Sequence, residues 1–293
     1  MDDHDSPEFT EQKRETTGIF GRGAPTYGQV GPRFFSHFGR RLVELAQIPS
    51  GAKVLDVATG RGAVLFPAAE TVGAQGHVTG IDLSKEMVNE TSREIERLNL
   101  QNAEIRLMDA EHLQFPDESF DFIFCSFAIH FFPQLDHALS EMNRVLKTNG
   151  HLAVSTWGSM DERAKWFGDL VESYLPPNEP AKVQESDPRS KAKPIFNTPE
   201  GLAAILDSAG FANVEILSEV KEFAYADENE FWATLWSHGA RRTLEAIEQK
   251  LGKDALQRFQ AEVSQHLKMI QQTGEIAEVF TALFGFGTKH KGG

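Results

Sequence analysis

The chain has 293 residues, of which 40% are hydrophobic and 25% are charged. This composition is typical of a globular protein and excludes wholesale disorder. The net charge of −14 argues against nonspecific binding to nucleic acid or to anionic membranes, because both need clustered lysine and arginine. Cys125 is the single cysteine, so an internal disulfide is excluded. We therefore expect a cytoplasmic protein with no nucleic-acid or membrane partner, present as a monomer or homodimer.

The first predicted elements form an N-terminal segment, residues 1–48. Residues 1–17 are polar and are predicted to be frayed, and a glycine-rich loop follows over 18–31. Apolar residues then recur at helical spacing over 32–47, which predicts an amphipathic helix. We expect the segment 1–48 to form a helical cap.

From residue 49 to 157, apolar runs of strand length alternate with helical patterns. The predicted strands and helices are Lys53–Ala58, 63–72, His77–Ile81, 84–98, Glu104–Met108, Phe120–Phe127, 135–146 and His151–Thr156. Such alternation implies βαβ units, and right-handed crossovers make them a doubly wound, Rossmann-like α/β sheet. We expect 49–157 to be the core that binds the cofactor.

Residues 158–293 are predicted to complete a seven-stranded sheet and to insert a helical lid. The proline-rich stretch 176–199 is predicted to be a surface loop. The elements predicted after it are a helix from Pro199 to Ala209, a strand at Val214–Leu217, two or three helices over 228–272, and a last strand at Glu278–Phe286. We expect the insertions at about 160–200 and 228–272 to cover a small-molecule substrate.

A glycine-rich turn after the first strand carries the main chemical signal. Asp56 ends that strand, and Gly60 and Gly62 lie in the turn before the next helix. Glycines permit a tight turn and close approach of a ligand to the helix N-terminus. Asp82 lies 22 residues after Gly60, where an acid is placed to bind ribose hydroxyls. Asp109 ends the third strand, so three carboxylates are predicted along one edge of the sheet.

Two cofactor classes compete for this turn. Nicotinamide dinucleotides use G-x-G-x-x-G, but Leu65 occupies the third glycine position. An acid such as Asp56 beside the turn would also repel a pyrophosphate. S-adenosylmethionine (SAM) has no phosphate and carries an ammonium and a sulfonium, which suit nearby carboxylates. The charges therefore favour SAM, with S-adenosylhomocysteine (SAH) as product.

Several segments in order resemble the class I SAM-dependent methyltransferases, in the ubiquinone/menaquinone methyltransferase-like (methyltransferase type 11) branch. The resembling segments are Val54–Ala63, Gly80–Ser84, Met108–Ala110, Leu113–Asp121, Phe127–Phe132 and Arg144–Leu152. The resemblance implies methyl transfer from SAM to a small metabolite. The chain has 22 phenylalanines, and aromatic residues form clusters at 120–132, 223–236 and 280–286, which favours an apolar or aromatic acceptor.

The resemblance also implies contacts with the methionine end of SAM. Asp56, Gly60 and Gly62 would face that end, and Ser126 would line it from the fourth strand. Ala58 stands where many members of the family have glycine. These five positions are the cofactor residues predicted in and beside the first turn.

Contacts with the adenosine end are implied by the same resemblance. Asp82 would bind the ribose diol, and Leu83 would pack on adenine. Met87 would lie near the adenosine. Asp109 would meet the adenine amine, while Ala110 would contact the ring.

Tyr27 resembles an aromatic residue that closes over the cofactor, and His130 is the predicted catalytic base. His130 follows the fourth strand, where its neutral imidazole would accept a proton from a phenol, enol or amine. His238, His37 and His151 are alternatives, and no metal motif is present. Three other functions stay open: a SAM enzyme of another reaction type such as cyclisation, a non-catalytic SAM-binding regulator, and an NAD-dependent oxidoreductase.

Overall fold

A computed structural model describes residues 7–176 and 195–290 of the chain. In these residues seven strands form one mixed sheet. The strands are β1 (Lys53–Val57), β2 (His77–Asp82), β3 (Ala103–Leu107), β4 (Phe120–Ser126), β5 (Leu146–Trp157), β6 (Phe211–Tyr225) and β7 (Ile276–Lys289). Their order is β3-β2-β1-β4-β5-β7-β6, with β1 to β5 parallel and β7 antiparallel to both neighbours. The predicted seven-stranded Rossmann-like sheet is confirmed.

Helices cover both faces of the sheet and one end of it. They are α1 (Pro7–Gly23), α2 (Phe34–Ala46), α3 (Leu65–Val72), α4 (Lys85–Arg97), α5 (Leu135–Val145), α6 (Lys165–Tyr174), α7 (Pro199–Ser208), α8 (Glu228–Ser237), α9 (Arg241–Leu251) and α10 (Lys253–Thr273). Local sequence explains several starts. The Ser84 hydroxyl accepts a hydrogen bond from the Met87 N–H and caps α4, and Thr198 caps α7 with Pro199 at its first position.

Alternate residues of the central strand β4 enter two separate cores. Ile123 packs with α5 and α7 on one face, while Phe124 packs with α2 and α3 on the other. A third core lies within the last helices, where Phe231 and Phe259 are fully buried between α8 and α10. The two-sided burial is what a doubly wound sheet requires. The third core makes the helical insertion a packed unit.

The prediction of a frayed N-terminus is wrong for the described residues, because α1 is a helix from Pro7 to Gly23. Tertiary contacts hold it. Lys13 pairs with acids that follow β3, and Arg22 donates two hydrogen bonds to Glu245 of α9. The apolar pattern of α1 is weak, so periodicity alone missed it. A sequence signal was present, since Ser6-Pro7 matches the preferred cap and first residue of a helix.

The predicted strand Val214–Leu217 is much too short, because β6 runs from Phe211 to Tyr225. The pairing of β6 with β7 extends to Tyr225 and Ile276, whereas the pairing of β5 with β7 ends at Trp157 and Ala282. The last part of β6 and the first part of β7 therefore project past the sheet as a two-stranded ribbon. Charged residues interrupt the sequence of this ribbon, so a search for apolar runs does not detect its full length.

Two further points complete the comparison with the sequence. Most of the loop predicted at 176–199 lies outside the described residues, because 177–194 are not among them. Across the helices that the structure describes, none is both long and apolar enough to cross a membrane.

Candidate functional site

The main cleft lies at the carboxyl ends of β1, β2 and β4, where strand order reverses between β1 and β4. Ligands of open α/β sheets bind at this switch point. The cleft encloses about 810 Å³, and its lining includes the predicted residues Tyr27, Ala58, Gly60, Asp82, Leu83, Met87, Asp109, Ala110 and Ser126. An adjoining cavity of about 510 Å³ contains Asp56. The structure thus brings together all predicted cofactor residues except Gly62, which lies in the turn behind them.

Asp82 ties the end of β2 to the glycine turn. Its Oδ2 accepts a hydrogen bond from the Gly60 N–H at 2.9 Å, and its Oδ1 accepts one from the Ser84 N–H at 2.8 Å. Burial raises the pKa of Asp82 despite these hydrogen bonds. The carboxylate is therefore fixed in orientation at the floor of the cleft, as a ribose-binding acid needs to be.

Asp56 is a buried carboxylate with a neighbouring hydroxyl. The Thr59 Oγ1 donates to Asp56 Oδ2 at 2.5 Å, and the residue is 1% exposed. Burial raises the pKa of Asp56 to about 7. A carboxyl with this burial and no lysine or arginine among its recorded partners favours a cationic ligand, because a nearby positive charge stabilises its ionised form.

Backbone conformation explains the glycines of the turn. Gly60 and Gly62 have φ angles of 53° and 78°, in the left-handed region. A side chain at Gly62 would also place its Cβ 2.4 Å from the Phe66 ring. Ala58 has φ 54°, so an L-residue occupies a position where glycine is favoured. This conformation accounts for the glycine that many relatives of the predicted family carry there.

The adenosine end contains Leu83, Met87, Asp109 and Ala110. Met87 and Ala110 are buried, while Leu83 is 38% exposed at the mouth. Asp109 Oδ1 accepts the Glu111 N–H at 2.9 Å, which fixes the carboxylate beside the cleft. The arrangement has apolar surfaces for a planar base and an acceptor for an exocyclic amine.

Helix α1 forms the roof of the cleft, which the sequence analysis missed. Lys13, Thr16, Thr17 and Phe20 all line the cleft from this helix. Lys13 Nζ lies 2.7 Å from Asp109 Oδ2 and also contacts Glu111, whose side chain is 1% exposed. The N-terminal segment is thus part of the site itself.

Tyr27 lies where the cofactor cleft meets the cavities beside it. Its ring stacks on Phe35 at 5.1 Å, and its Cε1 would lie 3.8 Å from a Cβ on Gly60. Burial raises the pKa of its phenol. Arg61 anchors the loop that carries Tyr27 by donating from Nη1 to the Ala24 carbonyl at 2.5 Å, and its side chain is largely buried.

A further cavity of about 850 Å³ adjoins the cofactor cleft and is called the acceptor cavity below. Its aromatic lining comprises Phe20, Tyr27, Phe34, Phe35, Phe127, Phe131, Trp157, Phe167, Tyr225 and Phe280. Four of these rings, Phe20, Tyr27, Phe127 and Phe131, also line the cofactor cleft. The flat rings of this cavity favour a ring-bearing ligand.

Two histidines line the acceptor cavity. His130 lies in the turn Ile129–Phe131 after β4, and burial lowers its pKa to about 4. His238 also has its pKa lowered to about 4 by burial, and its Nδ1 accepts the Ala240 N–H at 3.4 Å. The hydrogen bond assigns the His238 proton to Nε2. Both imidazoles are neutral near pH 7, as a general base requires.

The other histidines considered are elsewhere. His37 packs against Phe38 and Phe223, and His151 stacks on Phe122 at the opposite end of β5. Within 7–176 and 195–290, no group of three or more His, Cys, Asp or Glu side chains is arranged to hold a metal ion. The site therefore offers carboxylates, backbone turns and neutral imidazoles.

The donor set fits SAM better than a dinucleotide. Asp56 presents a carboxylate beside the glycine turn, which would repel a pyrophosphate and attract an ammonium or sulfonium. Lys13 is the one cation lining the cleft among the described residues, and both Asp109 and Glu111 neutralise it. Leu65, which occupies the third glycine position of the dinucleotide motif, is buried. Its Cδ1 lies 2.6 Å from the place that a Cβ on Gly80 would occupy.

Comparisons with known proteins agree with this chemistry. A family model described as a methyltransferase domain matches residues 48–231. Aklanonic acid methyltransferase DauC of Streptomyces sp. strain C5 is 40% identical over 164 residues, which cover 56% of this chain and 73% of that protein. Nocamycin O-methyltransferase of Saccharothrix syringae is 34% identical over 235 residues, covering 78% and 84%.

Among solved structures, the fold is similar to that of the YcgJ protein from Bacillus subtilis. The TM-score is 0.56 at 19% identity, and the match covers 87% of this chain and all of that one. This likeness concerns the fold alone.

Proposed function

Because the chain belongs to the class I SAM-dependent methyltransferases, we propose that its acceptor is an aromatic or otherwise apolar small metabolite, deprotonated by His130. The enzyme uses SAM to methylate a metabolite. The observation that supports the acceptor class is the aromatic cavity, which shares Tyr27 and Phe127 with the cofactor cleft. A ring held there would lie beside the methyl donor.

The geometry of the cleft supports the cofactor contacts that the family resemblance implies. Asp82 and the turn at Gly60 would hold the ribose and the methionine chain, while Asp56 would face the ammonium. Leu83, Met87, Asp109 and Ala110 would surround adenine. When bound, SAM supplies a methyl group on a sulfonium, which is already activated for in-line displacement.

The chain's own contribution is positioning, exclusion of water and control of one proton. Helix α1 and Tyr27 cover the cofactor cleft, and the rings of the acceptor cavity exclude water from the nucleophile. The imidazole of His130 would accept the proton of a phenol or enol. His130 makes no hydrogen bond that the structure records within the described residues, so a ring nitrogen is available to the acceptor.

Several wider assignments belong to the same proposal. The core would be residues 49–157, covered by a cap that selects the substrate. The cap would be formed by segment 1–48 and by the insertions at about 160–200 and 228–272. The structure supports this division, since α1, α2, α6 and α8 all contribute lining residues to the two cavities. The single cysteine and the charge of −14 support a cytoplasmic enzyme without nucleic-acid or membrane partners, a monomer or homodimer.

The alternative functions have less support. An NAD-dependent oxidoreductase is opposed by Leu65 at the third glycine position and by the Asp56 carboxylate beside the turn. A SAM enzyme of another reaction type and a non-catalytic SAM-binding protein are not favoured by any contact in the site.

A transfer assay tests the proposal. The protein is incubated with SAM carrying a trideuteromethyl group and with phenolic and enolic acceptors, and products are analysed by mass spectrometry. We expect a labelled methyl ether, with kcat lowered about a hundredfold or more in His130→Gln. The matched control His151→Gln should match wild type. A protein that binds SAH but labels no ring-bearing acceptor would contradict the proposed acceptor class.

A further inference from the structure

Glu278 is an acidic residue in an otherwise aromatic wall. It lies on the ribbon formed by the end of β6 and the start of β7, four positions before Ala282, the last partner of β5. Phe280 is two residues away on the same face, and both side chains line the acceptor cavity. Neither lines the cofactor cleft. Glu278 therefore belongs to the part of the cavity that only an acceptor would contact.

One oxygen of this carboxyl has a partner within the protein. The buried Tyr225 hydroxyl donates to Glu278 Oε2 at 2.5 Å. No hydrogen bond or ion pair to Oε1 is recorded within the described residues, and none of their lysines or arginines lines the acceptor cavity. Burial raises the pKa of Glu278. The side chain is half-buried and also lines a second cavity beside α6 and α10, so its unused oxygen is open to a ligand contact.

We propose that Glu278, oriented by Tyr225, recognises a hydroxyl group of the acceptor, which makes the acceptor an aromatic molecule with a second hydroxyl remote from the methylated atom. The inference rests on the proposed function and specifies its substrate class. A hydroxyl fits because it can donate to a carboxylate or accept from a carboxylic acid. An acceptor with an anionic group at this position would be repelled by Glu278, because no lysine or arginine of the described residues lines the acceptor cavity.

The test uses three probes of similar shape: 4-hydroxybiphenyl, 4,4′-dihydroxybiphenyl and 4′-hydroxybiphenyl-4-carboxylate. Their binding to SAH-loaded protein is measured by calorimetry. Wild type is expected to bind the diol about tenfold more tightly than the single phenol, equivalent to about 1.4 kcal/mol, and to bind the carboxylate most weakly. In Glu278→Met the two phenols should bind alike, with the affinity of the single phenol unchanged.

Two more variants keep the result interpretable. Glu275→Met, at an exposed glutamate just before β7, is the matched control and should keep the wild-type preference. If Glu278→Met does not fold, Glu278→Gln serves, because a neutral amide binds a hydroxyl less strongly than a carboxylate and should reduce the preference. The proposal is overturned if wild type shows no preference for the diol, or if that preference persists in either Glu278 variant.

The outcomes also separate this inference from the proposed function. Suppose that Glu278→Met loses the diol preference while wild type transfers no methyl to either phenol. This result would support the recognition site and contradict the proposed reaction. Methyl transfer by a wild-type protein without any diol preference would support the proposed reaction and contradict the recognition site. SAH binding with no binding of any probe would contradict the aromatic acceptor and overturn both.

Discussion

The ammonium of Lys13, on the N-terminal helix, lies 2.7 Å from Oδ2 of Asp109, which follows β3 by two residues. The same ammonium contacts Glu111, whose buried carboxylate also accepts the Gln134 N–H at 2.8 Å. This ion pair fastens α1 over the adenosine end of the cofactor cleft. Phe20 on the same helix packs edge-on against Phe131 at 5.0 Å and reaches the acceptor cavity. One helix thus closes both parts of the site.

Replacing Lys13 by Met is expected to weaken SAH binding several-fold. The buried Glu111 carboxylate would lose its cation, and α1 would lose its attachment at the adenine end. The midpoint of thermal unfolding should fall as well. Calorimetry with SAH and a thermal scan would measure the two effects. Arg14→Met is the control, because among the described residues the Arg14 side chain pairs with exposed Glu11 of the same helix alone. Equal loss in both variants would contradict the role assigned to Lys13.

SAH binding is expected to release a proton near pH 6 through Asp56. Burial raises the pKa of this carboxyl to about 7, so it is largely protonated in the free protein at pH ~6. An incoming ammonium stabilises the ionised form and lowers that pKa, which expels the proton. The calorimetric enthalpy should then depend on the ionisation heat of the buffer at pH ~6 and much less at pH ~8.5. The dependence should vanish in Asp56→Asn, and its persistence there would assign the proton elsewhere.

The methyl-transfer rate is expected to stay level as pH falls from about 7 to 5.5. An ordinary histidine base becomes protonated near pH ~6.5, but burial lowers the pKa of His130 to about 4. The neutral base is therefore fully present over this interval. The pH profile of kcat, compared with that of His130→Gln, would check this. An acid limb centred at pH ~6.5 that disappears in the variant would contradict the low pKa.

The lowered pKa of His130 also predicts a stability effect. Between its folded value of about 4 and the unfolded value near ~6.5, the unfolded chain binds more protons at this site. The contribution of His130 to the free energy of unfolding should therefore fall as pH drops through that interval. Denaturant titrations of wild type and His130→Gln at several pH values would measure it. Equal pH dependence in both proteins would show that His130 is not buried in solution.

The central sheet was predictable because its signals are local. Each of β1, β2 and β4 is a short, buried apolar run, and parallel strands with helices between them leave few topologies. The cofactor residues followed for the same reason. Asp56, Asp82 and Asp109 lie at or just beyond the carboxyl ends of β1, β2 and β3, so placing the strands placed the carboxylates at one edge.

The roof and the distal wall of the site were not predictable in this way. Lys13 acts through acids 96 residues or more away in sequence, and nothing in the polar sequence around it indicates that contact. Glu278 and Tyr225 are 53 residues apart and meet only because β6 and β7 pair beyond the end of β5. Such contacts depend on tertiary pairing, which periodicity and propensity do not encode.

The most direct test of the account is calorimetric titration with SAH of wild type, Asp82→Ala and the control Asp254→Ala, an exposed acid on α10. Loss of the carboxylate removes both the expected ribose contact and the hydrogen bond from the Gly60 N–H. We predict roughly micromolar binding by wild type and Asp254→Ala, weakened about tenfold or more in Asp82→Ala. Folded wild-type protein that binds no SAH, or an Asp82→Ala variant that binds as tightly as wild type, would contradict the cofactor site described above.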